Sequence, residues 1–297
     1  NWTKLIGTKF DDYALDIERG PDGSLYIMGK TDGNIIFGNF YSATYSFITK
    51  LDSDGNKIWN VNSIDKNNLF KSFESNFGDI ETDDYGLHII RNTENLNEAG
   101  LFNPVISKFY YNGYSIDNLI GTWDDVGSVY DLEKDNIGNL YITGNDPKHG
   151  GNYISKLLNS GQEVWTKSIG NYYSYSRDIL LDSNGSLYLT AYNQPPDEHK
   201  IIKFDTDGNN VFTKSIEDFI YKDPTDLEID SKGNIYMIGE TMQNKNNLVY
   251  THYLSKYDSN GNKLWHKLFT QSSDTAAAKK ISINKNGYIY LTGATFI

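Results

Sequence analysis

The chain has 297 residues, a formal net charge of −12 and no cysteine. The acidic balance excludes the basic footprint that nucleic-acid backbones demand, and the missing thiols exclude disulfides, thiolate metal sites and a cysteine nucleophile. No apolar run approaches the roughly 18 residues of a membrane helix.

Residues 1–7, Asn-Trp-Thr-Lys-Leu-Ile-Gly, read as one strand of folded sequence rather than a leader. A four-strand unit follows. Strand a leads through Asp16 to a turn at Gly23, and strand b carries Tyr26. Strand c carries Lys50, the turn Asp52-Ser-Asp-Gly55 follows, and strand d carries Trp59. Asp-Gly and Asn-Gly turns between β-rich runs are strong hairpin signals.

The first hairpin recurs at Asp79…Gly86…Ile89, Asp131…Gly138…Tyr141, Asp178…Gly185…Tyr188, Asp226…Gly233…Tyr236 and Lys280…Gly287…Tyr290. The second recurs at Lys108…Gly113, Lys156…Gly161, Lys203…Gly208 and Lys256…Gly261. The second unit departs most, with Ile89 for Tyr, Asn92 for the strand-ending Gly and Asp117 for Trp.

Strands b such as Ser24-Leu-Tyr-Ile-Met28 and Asn234-Ile-Tyr-Met-Ile238 are apolar at consecutive positions. A half-solvated strand alternates, so these are expected to be covered on both faces. Four-stranded antiparallel sheets covered on both faces and repeated about every 50 residues predict propeller blades. An open solenoid needs polar end caps, and neither end has one. Residues 279–293 hold an a–b hairpin without strand d, and residues 1–7 hold a strand d without a, b and c. The expectation is therefore a six-bladed β-propeller of four-stranded antiparallel blades, closed by pairing of the terminal segments. Its repeats run 8–64, 65–120, 121–169, 170–216, 217–269 and 270–297 plus 1–7, all in one domain, 1–297. The last strand c is missing or reduced to Ala294–Ile297, which predicts a native chain continuing beyond Ile297.

The motifs Asp-x-x-Gly-(Asn/Ser)-(Leu/Ile)-Tyr-Ile-(Thr/Met)-Gly, Phe-Ile-(Thr/Ser)-Lys and Asp-x-x-Gly-Asn-x-x-Trp resemble the bacterial SBBP-type β-propeller repeats. Leu5-Ile-Gly-Thr-Lys-Phe-Asp-Asp-Tyr-Ala14 is similar to the variant in repeat-rich cyanobacterial surface and secreted proteins. The resemblance implies a propeller in an extracellular or cell-surface setting and brings no shared catalytic motif.

Three constellations could carry chemistry. The first is the strand-a aspartates, Asp16, Asp79, Asp131, Asp178 and Asp226, which recur in five blades and could hold a cation or serve as acid and base. The sixth repeat loses both this Asp and the strand-c Lys. That joint loss predicts ion pairs Asp16–Lys50, Asp79–Lys108, Asp131–Lys156, Asp178–Lys203 and Asp226–Lys256. The second is Asp-x-(Asp/Asn)-Gly at Asp52, Asp205 and Asp258. It opens like an EF-hand loop but has Val61, Lys214 and Lys267 where the bidentate Glu belongs, so turn chemistry explains it. No cofactor is expected; calcium remains conceivable without a complete motif. The histidines show no metal-ligand spacing.

The third is the aromatic and acidic content of the b–c and d–a loops. Tyr41, Tyr45, Asp11, Asp12, Trp123, Asp124, Asp125, Tyr172, Tyr173 and Tyr175 form the predicted ligand-binding set on one face. Rings beside carboxylates suit stacking on sugars. The expected function is a non-catalytic extracellular binding or adhesion module for a glycan or surface protein. A polysaccharide lyase or hydrolase with an axial site is the alternative, and a structural subunit of a surface assembly is a third reading.

Overall fold

The computed structural model describes residues 3, 7, 12–31, 45–62, 76–94, 102–112, 115–122, 128–146, 151–170, 178–193, 198–216, 222–244, 247–269 and 276–295. All regular structure among them is β. The first blade comprises β1 (Asp12–Arg19), β2 (Leu25–Thr31), β3 (Tyr45–Leu51) and β4 (Lys57–Asn62). The second comprises β5 (Asn76–Thr82), β6 (Gly86–Glu94), β7 (Phe102–Tyr110) and β8 (Ser115–Thr122). The third comprises β9 (Val129–Lys134), β10 (Leu140–Asp146), β11 (Gly151–Leu157) and β12 (Glu163–Ser168). The fourth comprises β13 (Ile179–Leu181), β14 (Leu187–Asn193), β15 (Glu198–Phe204) and β16 (Asn210–Ser215). The fifth comprises β17 (Lys222–Ile229), β18 (Ile235–Asn244), β19 (Asn247–Tyr257) and β20 (Lys263–Phe269). A hairpin of β21 (Ala276–Ile283) and β22 (Ile289–Thr295) ends the described chain.

The protein is thus an all-β propeller with blades in the order a–b–c–d. The described residues hold five four-stranded sheets and one two-stranded sheet, not six complete blades. The expected pairing of residues 1–7 with 279–293 lies outside the described residues except for Thr3 and Gly7. The chain divides into two compact units, residues 1–141, 145–148 and 157–164 in one, and 142–144, 149–156 and 165–297 in the other.

Burial follows strand position. Residues along β11 are almost continuously buried, whereas the outer strands β12 and β16 alternate between exposed and half-buried. The middle strands b and c are covered on both faces and strand d on a single face, which is why strand b reads as an unbroken apolar run. In the first unit Tyr26, Met28 and Ile48 pack with Ile80, Ile89 and Phe109 of the next blade. In the second, Tyr188 and Ile201 pack with Leu227, Met237 and Tyr253.

The a–b turn is built by its aspartate. In the fifth blade Asp230 N–H donates to the Asn234 carbonyl at 2.9 Å. The Asp230 carboxylate accepts the Lys232 and Asn234 amides, each at 2.9 Å. Gly233 closes the turn at φ 79°, a left-handed conformation that favours glycine. Asp52, Asp205 and Asp258 accept the same turn amides in the c–d loops, at 2.7–3.0 Å. The EF-hand-like motif therefore does turn chemistry.

The second blade corrects the glycine alignment. Its a–b turn is one residue shorter, because Asp83 N–H meets the Gly86 carbonyl where Asp230 meets Asn234. His88, not Ile89, therefore takes the tyrosine place: His88 pairs with Lys108 as Tyr236 pairs with Lys256. Gly86 is required by close approach, since a Cβ there would lie 1.9 Å from the Phe109 carbonyl oxygen.

Candidate functional site

Four of the strand-c lysines pair with aspartates other than those of strand a. Lys50 Nζ lies 3.0 Å from Asp22, Lys108 2.7 Å from Asp83, Lys203 3.9 Å from Asp182 and Lys256 3.3 Å from Asp230. All four partners stand in a–b turns. The predicted pairs with Asp16, Asp79, Asp178 and Asp226 are accordingly replaced. Strand b separates strands a and c by two strand spacings, about 9.5 Å. The turn aspartate instead sits at the end of the adjacent strand. Lys50, Lys203 and Lys256 run along strand b over its tyrosine ring, with Nζ 5.1 Å from the Tyr26 centroid, 4.6 Å from that of Tyr188 and 4.5 Å from that of Tyr236. Lys156 donates to the Thr206 carbonyl at 3.2 Å.

The strand-a aspartates tie successive blades together. Asp16 accepts the Ile80 amide and Asp79 the Leu132 amide, both at 3.2 Å. Asp178 accepts the Leu227 amide at 2.5 Å and Asp226 the Ile281 amide at 2.6 Å. Each bond runs from one first strand to the next.

In the first unit these strands also gather glutamates. Burial and then the Asp131 and Asp16 charges push the Asp79 carboxyl well up. Burial and Glu18 push Glu81 well up, against a partial offset from Lys134. Burial and Asp16 raise Glu18. The signal for this cluster was present as Asp-x-Glu at Asp16/Glu18, Asp79/Glu81 and Asp131/Glu133. Reading only the aspartate register missed it.

An open cleft of about 310 Å³ lies in the same unit, between the a–b turns of the second and third blades. The turns supply Asp83, Asp84 and Tyr85 on one side and Asp135, Asn136 and Ile137 on the other, with Lys134 and Asn159 beside them. Tyr85 is 70% exposed and Ile137 85% exposed. Beneath the rim is a buried polar cluster. Asp83 takes the Lys108 ammonium and the Tyr85 and Gly86 amides, the latter at 2.6 and 2.8 Å. His88 Nε2 meets Asn159 Oδ1 at 3.1 Å, and its Nδ1 lies 3.8 Å from Asp83. Burial and then the Lys108 charge drive the His88 pKa down to about 4, so the ring is neutral at pH 7. Burial opposes ionisation of Asp83, but the bonds from Lys108 and the Tyr85 amide outweigh it and hold the acid below its ordinary range. The bonds to Asp83 fix the turn that presents Tyr85.

This cleft is on the a–b turn side, not among the b–c and d–a loops predicted to bind. Of that predicted set, Asp11, Tyr41, Trp123, Asp124, Asp125, Tyr172, Tyr173 and Tyr175 lie outside the described residues. Asp12 and Tyr45 are strand residues, each opposite Thr31 on β2, and Asp12 is half-buried.

No protein-family model matches the chain, and no curated protein matches it in sequence. Solved structures do. It is similar to hydrazine synthase of Kuenenia stuttgartiensis, with 13% identity over 97% of this chain and 75% of that one, at TM-score 0.64. A glucose dehydrogenase is 9% identical over 96% of each chain, at TM-score 0.58. The Pan2 WD40 domain of Neurospora crassa is 9% identical over 92% of this chain and 83% of that one, at TM-score 0.56. Identities this low show the propeller fold alone. The fold neighbours include enzymes as well as a WD40 domain, so function rests on the site.

Proposed function

We propose that the protein is an extracellular or cell-surface binding module of the SBBP-repeat type, and that it holds a glycan in the cleft between the second and third blades. The observation that carries this reading is the Tyr85 ring, 70% exposed beside the carboxylate of Asp84 and the amide of Asn136 on the same rim. An accessible ring stacks on the C–H face of a sugar, while flanking carboxylates and amides take its hydroxyls. At about 310 Å³ the cleft suits one or two sugar units rather than a large ligand. The repeat resemblance supplies the extracellular setting. A glycan array probed with and without calcium, followed by titration of the best ligand, tests the reading. Tyr85→Ala is expected to weaken binding roughly tenfold or more with an unchanged melting temperature. Equal binding by this variant, or no glycan bound at all, defeats the assignment.

The polysaccharide-acting alternative has one observation in its favour, the raised Asp79 and Glu81 carboxyls. A protonated buried carboxyl is what a general acid needs. Release of reducing ends or unsaturated products from a polysaccharide panel, lost in Glu81→Gln, would establish that reading.

A further inference from the structure

In four blades the a–b turn aspartate meets the strand-c lysine of its own blade, in the pairs Asp22–Lys50, Asp83–Lys108, Asp182–Lys203 and Asp230–Lys256. The third blade is the exception. Its lysine, Lys156, donates instead to the Thr206 carbonyl at 3.2 Å. Among the described residues Asp135 is left with uncharged donors: the Ile137 and Asn139 amides at 3.1 and 2.8 Å, Asn139 Nδ2 at 2.7 Å and the Tyr141 hydroxyl at 3.4 Å. Asp135 belongs to one wall of the cleft at Tyr85, and Asp84 to the other. Asp84 is exposed and, among the described residues, has no hydrogen-bond or ion-pair partner.

The nearby cations are engaged by other acids. Lys108 bonds Asp83 at 2.7 Å, and Lys134, which also lines the cleft, offsets the raised Glu18 and Glu81 carboxyls. The cleft therefore presents two carboxylates, Asp84 and Asp135, with no cation of their own. A carboxylate holds an ammonium more strongly than a neutral hydroxyl and repels a second carboxylate. The Tyr85 ring, 70% exposed beside Asp84, takes either the C–H face of a sugar or a cation. Ring and charge thus favour the same ligand, a sugar that carries an amine.

We propose that the cleft selects glycans with free amino groups, an unacetylated hexosamine stacking on Tyr85 while its ammonium is taken by the Asp84 and Asp135 carboxylates. This rests on the glycan-binding reading above and narrows it to one substrate class, polymers of deacetylated hexosamine rather than neutral or uronic-acid sugars.

The test titrates the whole chain calorimetrically with a glucosamine tetramer and an N-acetylglucosamine tetramer, in mildly acidic buffer that keeps the sugar amine protonated. The two share ring and linkage and differ in charge. The glucosamine form is expected to bind roughly tenfold tighter and to lose that advantage as salt is raised. A galacturonate tetramer should bind more weakly than either. Asp84→Asn keeps the size and an acceptor oxygen but not the charge, so it should cut the preference for glucosamine to about twofold without lowering the melting temperature. Equal binding of the two tetramers, or a full preference kept by Asp84→Asn, overturns the amine selection and leaves the glycan-binding reading in place. A tetralysine peptide that binds as tightly as the glucosamine tetramer also overturns it, since charge alone then suffices. Absence of binding by every sugar up to about 1 mM overturns both.

Discussion

In the first, fourth and fifth blades the lysine of strand c joins one stack with the turn aspartate, the tyrosine ring of strand b and the aromatic residue of strand d. In the fifth blade Lys256 reaches Asp230 and the Tyr236 hydroxyl, and the Trp265 ring lies 6.0 Å from that of Tyr236. Burial works against ionising Asp230, but bonds from Asn234, the Lys232 amide and Lys256 outweigh it and lower its pKa from 3.8 to about 2. A depressed carboxylate pKa stabilises the fold above the unfolded value and loses that stabilisation as pH falls through the folded one. Asp230→Asn should therefore cost about 1–2 kcal/mol at neutral pH. The difference from the parent should vanish between pH 4 and pH 2, which urea midpoints measured across that range will show. Persistence of the full difference at pH 2 would contradict the ionised carboxylate as its source. The sequence made these lysines and tyrosines visible as registers, but not their partners. Spacing reports which positions recur; it does not report that a lysine leans along strand b to the turn rather than across it to strand a.

At the scale of strands, the a-strand aspartates act as pins between blades. A carboxylate accepting a backbone amide from the neighbouring first strand satisfies a group that no ladder partner takes, and it fixes the offset of the two sheets. Asp226 has two such contacts with β21, the Ile281 amide at 2.6 Å and Lys280 Nζ at 3.2 Å. Asp226→Ala should lower stability by about 2 kcal/mol and speed hydrogen exchange at Ile281 more than at amides inside β18 or β19. Asp226→Asn keeps a carbonyl oxygen for the amide and should cost less. Uniform acceleration across the fifth blade would instead mean that the aspartate matters only for global stability. The blades themselves were legible in the sequence because turn chemistry and burial leave local marks: Gly233 after Asp230, and the unbroken Ile235-Tyr-Met-Ile238 run. Contacts between blades leave no such mark. The cleft at Tyr85 is a case in point, since its two walls are turns about 50 residues apart, and the one-residue contraction at Asp83–Gly86 hides His88 from an alignment on glycines.

For the molecule as a whole, a formal charge of −12 conceals two opposite treatments of carboxylates. Turn acids such as Asp83 and Asp230 meet lysines and are held below their ordinary range. First-strand acids Glu18, Asp79 and Glu81 are half-buried among like charges and are pushed above it. The two groups have opposite linkage. The raised acids favour folding while they keep their protons, so their contribution is complete below the unfolded pKa and is lost as pH rises through the folded one. The depressed acids contribute at neutral pH and fail in acid. The stability profile should therefore peak in mildly acidic solution. Glu81→Gln separates the two arms, because glutamine mimics the protonated side chain without its titration. The variant should match the parent near pH 4, exceed it in stability at pH 8, and flatten the decline between. Thermal melts of both proteins across that range measure it, and a variant less stable than the parent at pH 8 would show that the ionised glutamate is needed by the fold, with Lys134 the cation that holds it.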